Sequence, residues 1–234
     1  MSSERKESTN WNALLFIIYW GAVVVECVAL LNKKYTYYGF SRAILVPILL
    51  LRIITSGLGH KVNRYVSLFF FISMLADLFT IFGTPNIGYI GLNLYTVSYL
   101  SLVSFFLQLK DSYHSSSLLV FLITLITIAS ISALWLYAPE LHQQIFYIHV
   151  AIHSLTMVLI VYSFLSVQSK LMPRSTDNFF VSLLFIIVTN LLYALDVFYF
   201  KFKHASIESL IGLGNGIYLF QITRGALNQI KKMK

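Results

Sequence analysis

The strongest constraint on this chain is a recurring length. Apolar runs of roughly 18 to 22 residues follow one another along the whole sequence, and each is long enough to cross a hydrocarbon core about 30 Å thick. Only 11% of the 234 residues are charged and 58% are hydrophobic, giving a mean hydropathy of +0.76. Soluble domains carry about 25% charged residues, so this composition requires lipid as solvent. Membrane barrels would alternate apolar and polar residues, and runs such as Ser117 to Ile131 do not alternate. The expected fold class is therefore all-α, a polytopic transmembrane bundle.

The runs place spans near 12–31, 43–58, 68–83, 87–108, 117–137, 145–168, 179–200 and 206–224. The second and third are short and adjoin charged residues, which leaves seven or eight helices open, with about eight as the working count. In domain terms, residues 1–10 form a polar leader, 11–225 a membrane domain and 226–234 a basic tail. The first span has no small-residue cleavage site after it and is expected to be retained. A single Cys27 excludes an intrachain disulfide.

The net charge of +8 does not point to nucleic acid, because the basic residues are scattered through short connections and the tail. With eight spans, one side of the membrane carries Arg5, Lys6, Lys61, Arg64, Lys110, Lys170, Arg174, Arg224, Lys231, Lys232 and Lys234. The opposite side carries Lys33, Lys34, Arg42, Lys201 and Lys203, with Arg52 set aside as intramembrane and snorkelling. The positive-inside bias then places both termini in the cytoplasm, N-in and C-in. A multi-pass protein of the cell membrane, with membrane lipids as its partners, is the expected setting.

Chemistry must come from inside the bundle, since no connection exceeds roughly ten residues. Charges at a bilayer centre cost about 2.5 to 3.5 kcal/mol on insertion scales, so they mark cavities or partners. Glu26, Asp77, His149, His153, Asp196 and Glu208 all fall within spans. Counted from the non-cytoplasmic ends at about 1.5 Å per residue, they lie roughly 3 to 12 Å deep and share one half of the membrane. Asp196, Glu208 and Glu26 could each reach interfacial water, whereas Asp77 is harder to explain without a pocket. His149 and His153 stack on one helix face, but two ligands make no metal site, and no metal or other cofactor is expected. No Gly-x-Ser-x-Gly elbow or phosphate-binding loop occurs. Gly212 and Gly216 are spaced for close helix approach. Laid against the third span, the seventh puts Asn190 under Asp77, as a four-plus-four repeat would.

Ser73-Met74-Leu75-Ala76-Asp77-Leu78-Phe79 resembles the small-residue-plus-Asp motif of the lysoplasmalogenase-like (YhhN) family of multi-helix membrane proteins. Val46-Pro47 resembles a Lys-Pro element of that family, and Tyr218-Leu219-Phe220-Gln221 its Tyr-x-x-Gln ending. The family's Ser-Asp motif aligns with Thr189-Asn190, and a family histidine falls near Tyr99, within Tyr95-x-x-x-Tyr99. The resemblance is to a divergent member.

The activity implied by the resemblance is hydrolysis of the vinyl-ether bond of a lysophospholipid, the lysoplasmalogen. One carboxylic acid protonates the alkene carbon and a second carboxylate stabilises the oxocarbenium. Asp77 would be the acid. Asn190 cannot ionise, and Asp196, six residues on, projects from a different helical face, so Glu26, His149 or His153 would have to supply the second role. The alternatives are a lipid-binding or accessory protein on the same fold without catalysis, and a small proton-coupled transporter using Asp77 and the histidine pair.

Overall fold

The computed structural model describes residues 2–57, 61–82, 85–109, 142–196 and 204–233. Among them there is no strand. The helices are α1 (Ser2–Leu31), α2 (Tyr35–Gly57), α3 (Lys61–Phe82), α4 (Pro85–Gln108), α5 (His142–Val167), α6 (Pro173–Leu195) and α7 (Ala205–Met233). The expected span at 117–137 lies outside the described residues. Six helices contain stretches long and apolar enough to cross a membrane: Ala13–Leu31, Tyr35–Thr55, Arg64–Phe82, Tyr89–Gln108, Ile145–Lys170 and Pro173–Leu195. The last helix, α7, is not in that group, diluted by residues such as Asn215, Gln221 and Arg224.

Two boundaries differ from the sequence reading in ways that matter. The first helix begins at Ser2, so the polar leader continues it. The second begins at Tyr35, well before the expected residue 43. Between them the chain turns within three residues. Lys33 takes the left-handed conformation (φ 53°), and the amides of Lys33 and Lys34 return to the carbonyls of Leu30 and Ala29 at 3.0 and 2.8 Å. Such a left-handed residue closes a helix end. The amides of Tyr37 and Tyr38 already bond back to Lys34, so the polar-looking Tyr-Thr-Tyr-Tyr stretch is the first turn of α2. Pro85 and Pro173 each open a helix, where the missing N–H costs nothing.

Among the described residues the helices pack as one continuous run: α5 on α4, α4 on α3, α3 on α2, α2 on α1, α1 on α7 and α7 on α6. By contrast α5 and α6 touch only sparingly. The most enclosed helix is α4, and every residue from Thr96 to Phe106 is buried. It can be so because Thr96, Ser98, Ser101 and Ser104 are small, which lets neighbouring backbones approach; Ser98 and Ser101 bond back to carbonyls of their own helix. The outer surface carries exposed Ile17, Val24, Leu155, Val158, Phe180 and Leu184. An apolar surface of that kind suits lipid rather than water.

The core lies toward one end. Phe106 packs against Phe105, Phe164 and Phe179 with ring centroids 5.1 to 5.6 Å apart, alongside buried Leu49, Ile53, Phe69 and Leu183. Toward the other end the same helices part around a cavity.

Candidate functional site

The cavity has a volume of about 680 Å³ and is lined by residues of all seven described helices. Its walls are mainly apolar and aromatic, with a smaller number of carboxylate, imidazole and other polar groups among them, the usual composition of a small-molecule site.

Gly212 makes room for the first polar group. A Cβ at that position would sit 3.2 Å from Glu26 Oε1 and 3.0 Å from Leu30. One turn on, a Cβ at Gly216 would press on Val23 at 2.8 Å, and its carbonyl accepts the Tyr19 hydroxyl. The two glycines therefore seat α7 against α1, the packing role expected from their spacing. In that contact Glu26, 1% exposed, turns toward α2, and Arg42 Nη1 lies 3.4 Å from its Oε1.

Arg42 is the largest correction to the sequence reading. It is 3% exposed within α2, whereas the sequence placed it on a connection and left Arg52 as the intramembrane cation. Its Nε donates to Asp77 Oδ1 at 2.8 Å, and the Tyr95 hydroxyl donates to the same oxygen. Asp77, 2% exposed, thus stands behind Arg42 and Tyr95, which face the cavity, and is not itself a lining residue. Glu26 Oε2 and Asp77 Oδ2 have no hydrogen-bond partner. Removing one member of a buried ion pair typically costs about 3 to 5 kcal/mol, so Glu26, Arg42 and Asp77 stand or fall together. The signal for Arg42 was present in the sequence: two carboxylates at similar depth require a cation at that depth.

The second polar group is centred on His153. Its Nε2 lies 2.9 Å from Asn190 Oδ1 and its Nδ1 2.9 Å from Thr96 Oγ1. The Asn190 amide nitrogen donates to the Ile186 carbonyl at 2.8 Å. Since that carbonyl can only accept, the Asn190 oxygen must face the ring, Nε2 carries the proton, and Nδ1 of the neutral ring accepts from Thr96. Both nitrogens of His153 are thereby engaged. His149 stacks on His153 with centroids 5.9 Å apart and meets the edge of Tyr89. Among the described residues no three His, Cys, Asp or Glu side chains gather as metal ligands would.

Tyr99 packs on His153 with ring centroids 5.6 Å apart and donates to the Tyr218 hydroxyl at 3.4 Å. Asp196 and Glu208 line the cavity with Asn190, Glu26, His149 and His153. A different helical face from Asn190 does not keep Asp196 out, because it lies at the last turn of α6, at another level of the same space. Tyr35 donates to Glu208 Oε2 at 3.3 Å. Five of the six intramembrane ionisable residues singled out from sequence therefore line one cavity, and the sixth, Asp77, is tied to it through Arg42. Thr96, Tyr95 and Arg42 are the members that sequence reasoning did not find. Compared with family models, curated proteins and solved structures, the chain has no match.

Proposed function

We propose that the chain is a lysoplasmalogenase-like membrane protein of eight spans with both termini cytoplasmic, whose cavity takes a single-chain ether lipid and whose carboxylates hydrolyse its vinyl-ether bond. The observation that carries this reading is the cavity itself: about 680 Å³ inside the bundle, mainly apolar along its walls, with carboxylate, imidazole and phenol groups among the lining residues. A lipid chain needs the first part and acid-catalysed hydration the second.

The burial of Arg42 supports the orientation. Moving it from a connection to the bundle interior leaves Lys33, Lys34, Lys201 and Lys203 facing the larger basic set, which steepens the positive-inside asymmetry. In the reaction, a carboxylic acid delivers a proton to the alkene carbon β to the ether oxygen and the resulting oxocarbenium is held by a carboxylate. Water adds to the cationic carbon, and the hemiacetal collapses to a fatty aldehyde and the free glycerol hydroxyl. Glu26 lines the cavity, so in this reading it is the carboxyl that meets the substrate; Asp77 acts from behind Arg42, setting the charge that the guanidinium presents. The test is aldehyde release from lysoplasmalogen by purified protein in detergent. Release should fall at least tenfold in Asp77→Asn and in Glu26→Gln; no release by the parent protein, or release unchanged by both substitutions, removes the reading.

A second reading keeps the cavity and drops the chemistry. It is favoured by the Arg42 ion pairs that occupy Asp77 and by His153, which occupies the uncharged Asn190. Native mass spectrometry should then find a co-purified lipid that leaves intact, with no aldehyde formed.

A further inference from the structure

The protein is basic as a whole, yet its cavity has the opposite sign. Among the described ionisable residues that line it, Glu26, Asp196 and Glu208 are acidic and Arg42 alone is a permanent cation. Arg42 is shared between Glu26 and Asp77, so that cluster holds two carboxylates to one guanidinium, and Asp196 and Glu208 add two carboxylates more.

Acidic residues near helix ends commonly reach water and need no ligand. Two of these face the cavity and not the outer surface. Glu26 and Asp196 are each 1% exposed, and Glu26 Oε2 and both carboxylate oxygens of Asp196 have no hydrogen-bond partner. Glu208 Oε1 is in the same condition, while its other oxygen takes the Tyr35 hydroxyl. Lys33, exposed on the turn before α2, and His204, exposed just before α7, bear on Glu208 and Asp196 from outside the cavity. A carboxylate withdrawn from water without donors is strongly disfavoured, and an arriving positive charge restores what water supplied.

The wall between these carboxylates is aromatic. Tyr38 and Tyr193 line the cavity with them, and ring faces attract cations, most of all where water is excluded. A phosphate or carboxylate set among Glu26, Asp196 and Glu208 would meet like charge on several sides, so the phosphate of a zwitterionic lipid head has to lie away from them.

We infer that this cavity is a binding site for an organic cation, an ammonium-type charge carried on an apolar body, with the charge among Glu26, Asp196 and Glu208 and the body against the aromatic and aliphatic wall. The cation can be the head of a single-chain lipid or a free lipophilic ion; the recognition chemistry is the same. The inference does not rest on vinyl-ether hydrolysis, since binding needs only the charge and the wall.

The test uses full-length protein in a nonionic detergent and two ions of nearly equal shape and opposite charge, tetraphenylphosphonium and tetraphenylborate. The cation should bind saturably at one site, at least tenfold more tightly than the anion. Asp196→Asn and Glu208→Gln, which leave the Arg42 cluster intact, should each weaken cation binding severalfold and together at least tenfold, with thermal stability undiminished. Equal affinity for the two ions, or an unaltered double variant, overturns the proposal. Displacement of bound tetraphenylphosphonium by a long-chain trimethylammonium alone assigns the site to a lipid head, and displacement also by tetraethylammonium assigns it to free cations. Displacement by neither places the probe elsewhere and overturns the proposal. Cation preference without aldehyde release would retain this site and remove the hydrolase reading, and aldehyde release without cation preference would do the reverse.

Discussion

The two ends of this bundle are built from the same helices and are held by different forces. At one end Leu49, Ile53, Phe69, Phe105, Phe106, Phe164 and Phe179 fill the space between helices, each at most 2% exposed. At the other, Glu26, Arg42, His153 and Asn190 line an open volume with Asp77 and Thr96 bonded behind them, and all are fixed by directed bonds. A filled region tolerates exchange among side chains of similar volume. A bonded region does not, because each group depends on a named partner. The fold can thus rest on one end while the other keeps a space.

Three substitutions would break or sharpen that contrast. The largest effect is expected from Arg42→Met, which strands two buried carboxylates and should cost about 3 to 5 kcal/mol, read as loss of monodisperse protein and a lowered Tm in detergent. Combining it with Glu26→Gln and Asp77→Asn should recover most of that loss, because no charge is then left uncompensated. Next comes Phe106→Ala at the filled end. The unfolded helices remain in lipid, so little transfer energy is at stake, and the space left behind should cost about 2 kcal/mol by the usual cavity relation. If Phe106→Ala costs more than Arg42→Met, the bonded end is not the more exacting one. The smallest effect is expected from Thr96→Val, which removes one donor from His153; a single interhelical hydrogen bond in a membrane averages about 0.6 kcal/mol. A loss as large as that of Arg42→Met would mean that the histidine group, too, is an all-or-none cluster.

Much of this was legible in the sequence, for physical reasons that also set the limit. Lipid demands long apolar runs, so helical spans could be read directly. Charges inside them are costly, so Glu26, Asp77, His149, His153, Asp196 and Glu208 stood out, and all of them but Asp77 line one cavity. Lateral information was missing. Hydropathy gives the level of a residue but not its neighbours, so Asp77 read as a free acid when it is an ion-paired acceptor, and Asn190 read as a lost carboxylate when its oxygen holds an imidazole. Arg42 was misplaced because four hydroxyl-bearing residues, Tyr35, Thr36, Tyr37 and Tyr38, resemble a connection to any scale that averages polarity. The left-handed Lys33 that ends α1 so abruptly is invisible to such a scale.

Gly212 has a reach out of proportion to its size. It bonds to nothing in the cavity, yet its single hydrogen faces the Glu26 oxygen that lies beside Arg42, and Arg42 in turn holds Asp77 on a third helix. A methyl group there would push one carboxylate, and the push would travel through one guanidinium to the next. The distance between two backbones thereby becomes an adjustable parameter of the site, set by a residue whose side chain offers a ligand no bonding group.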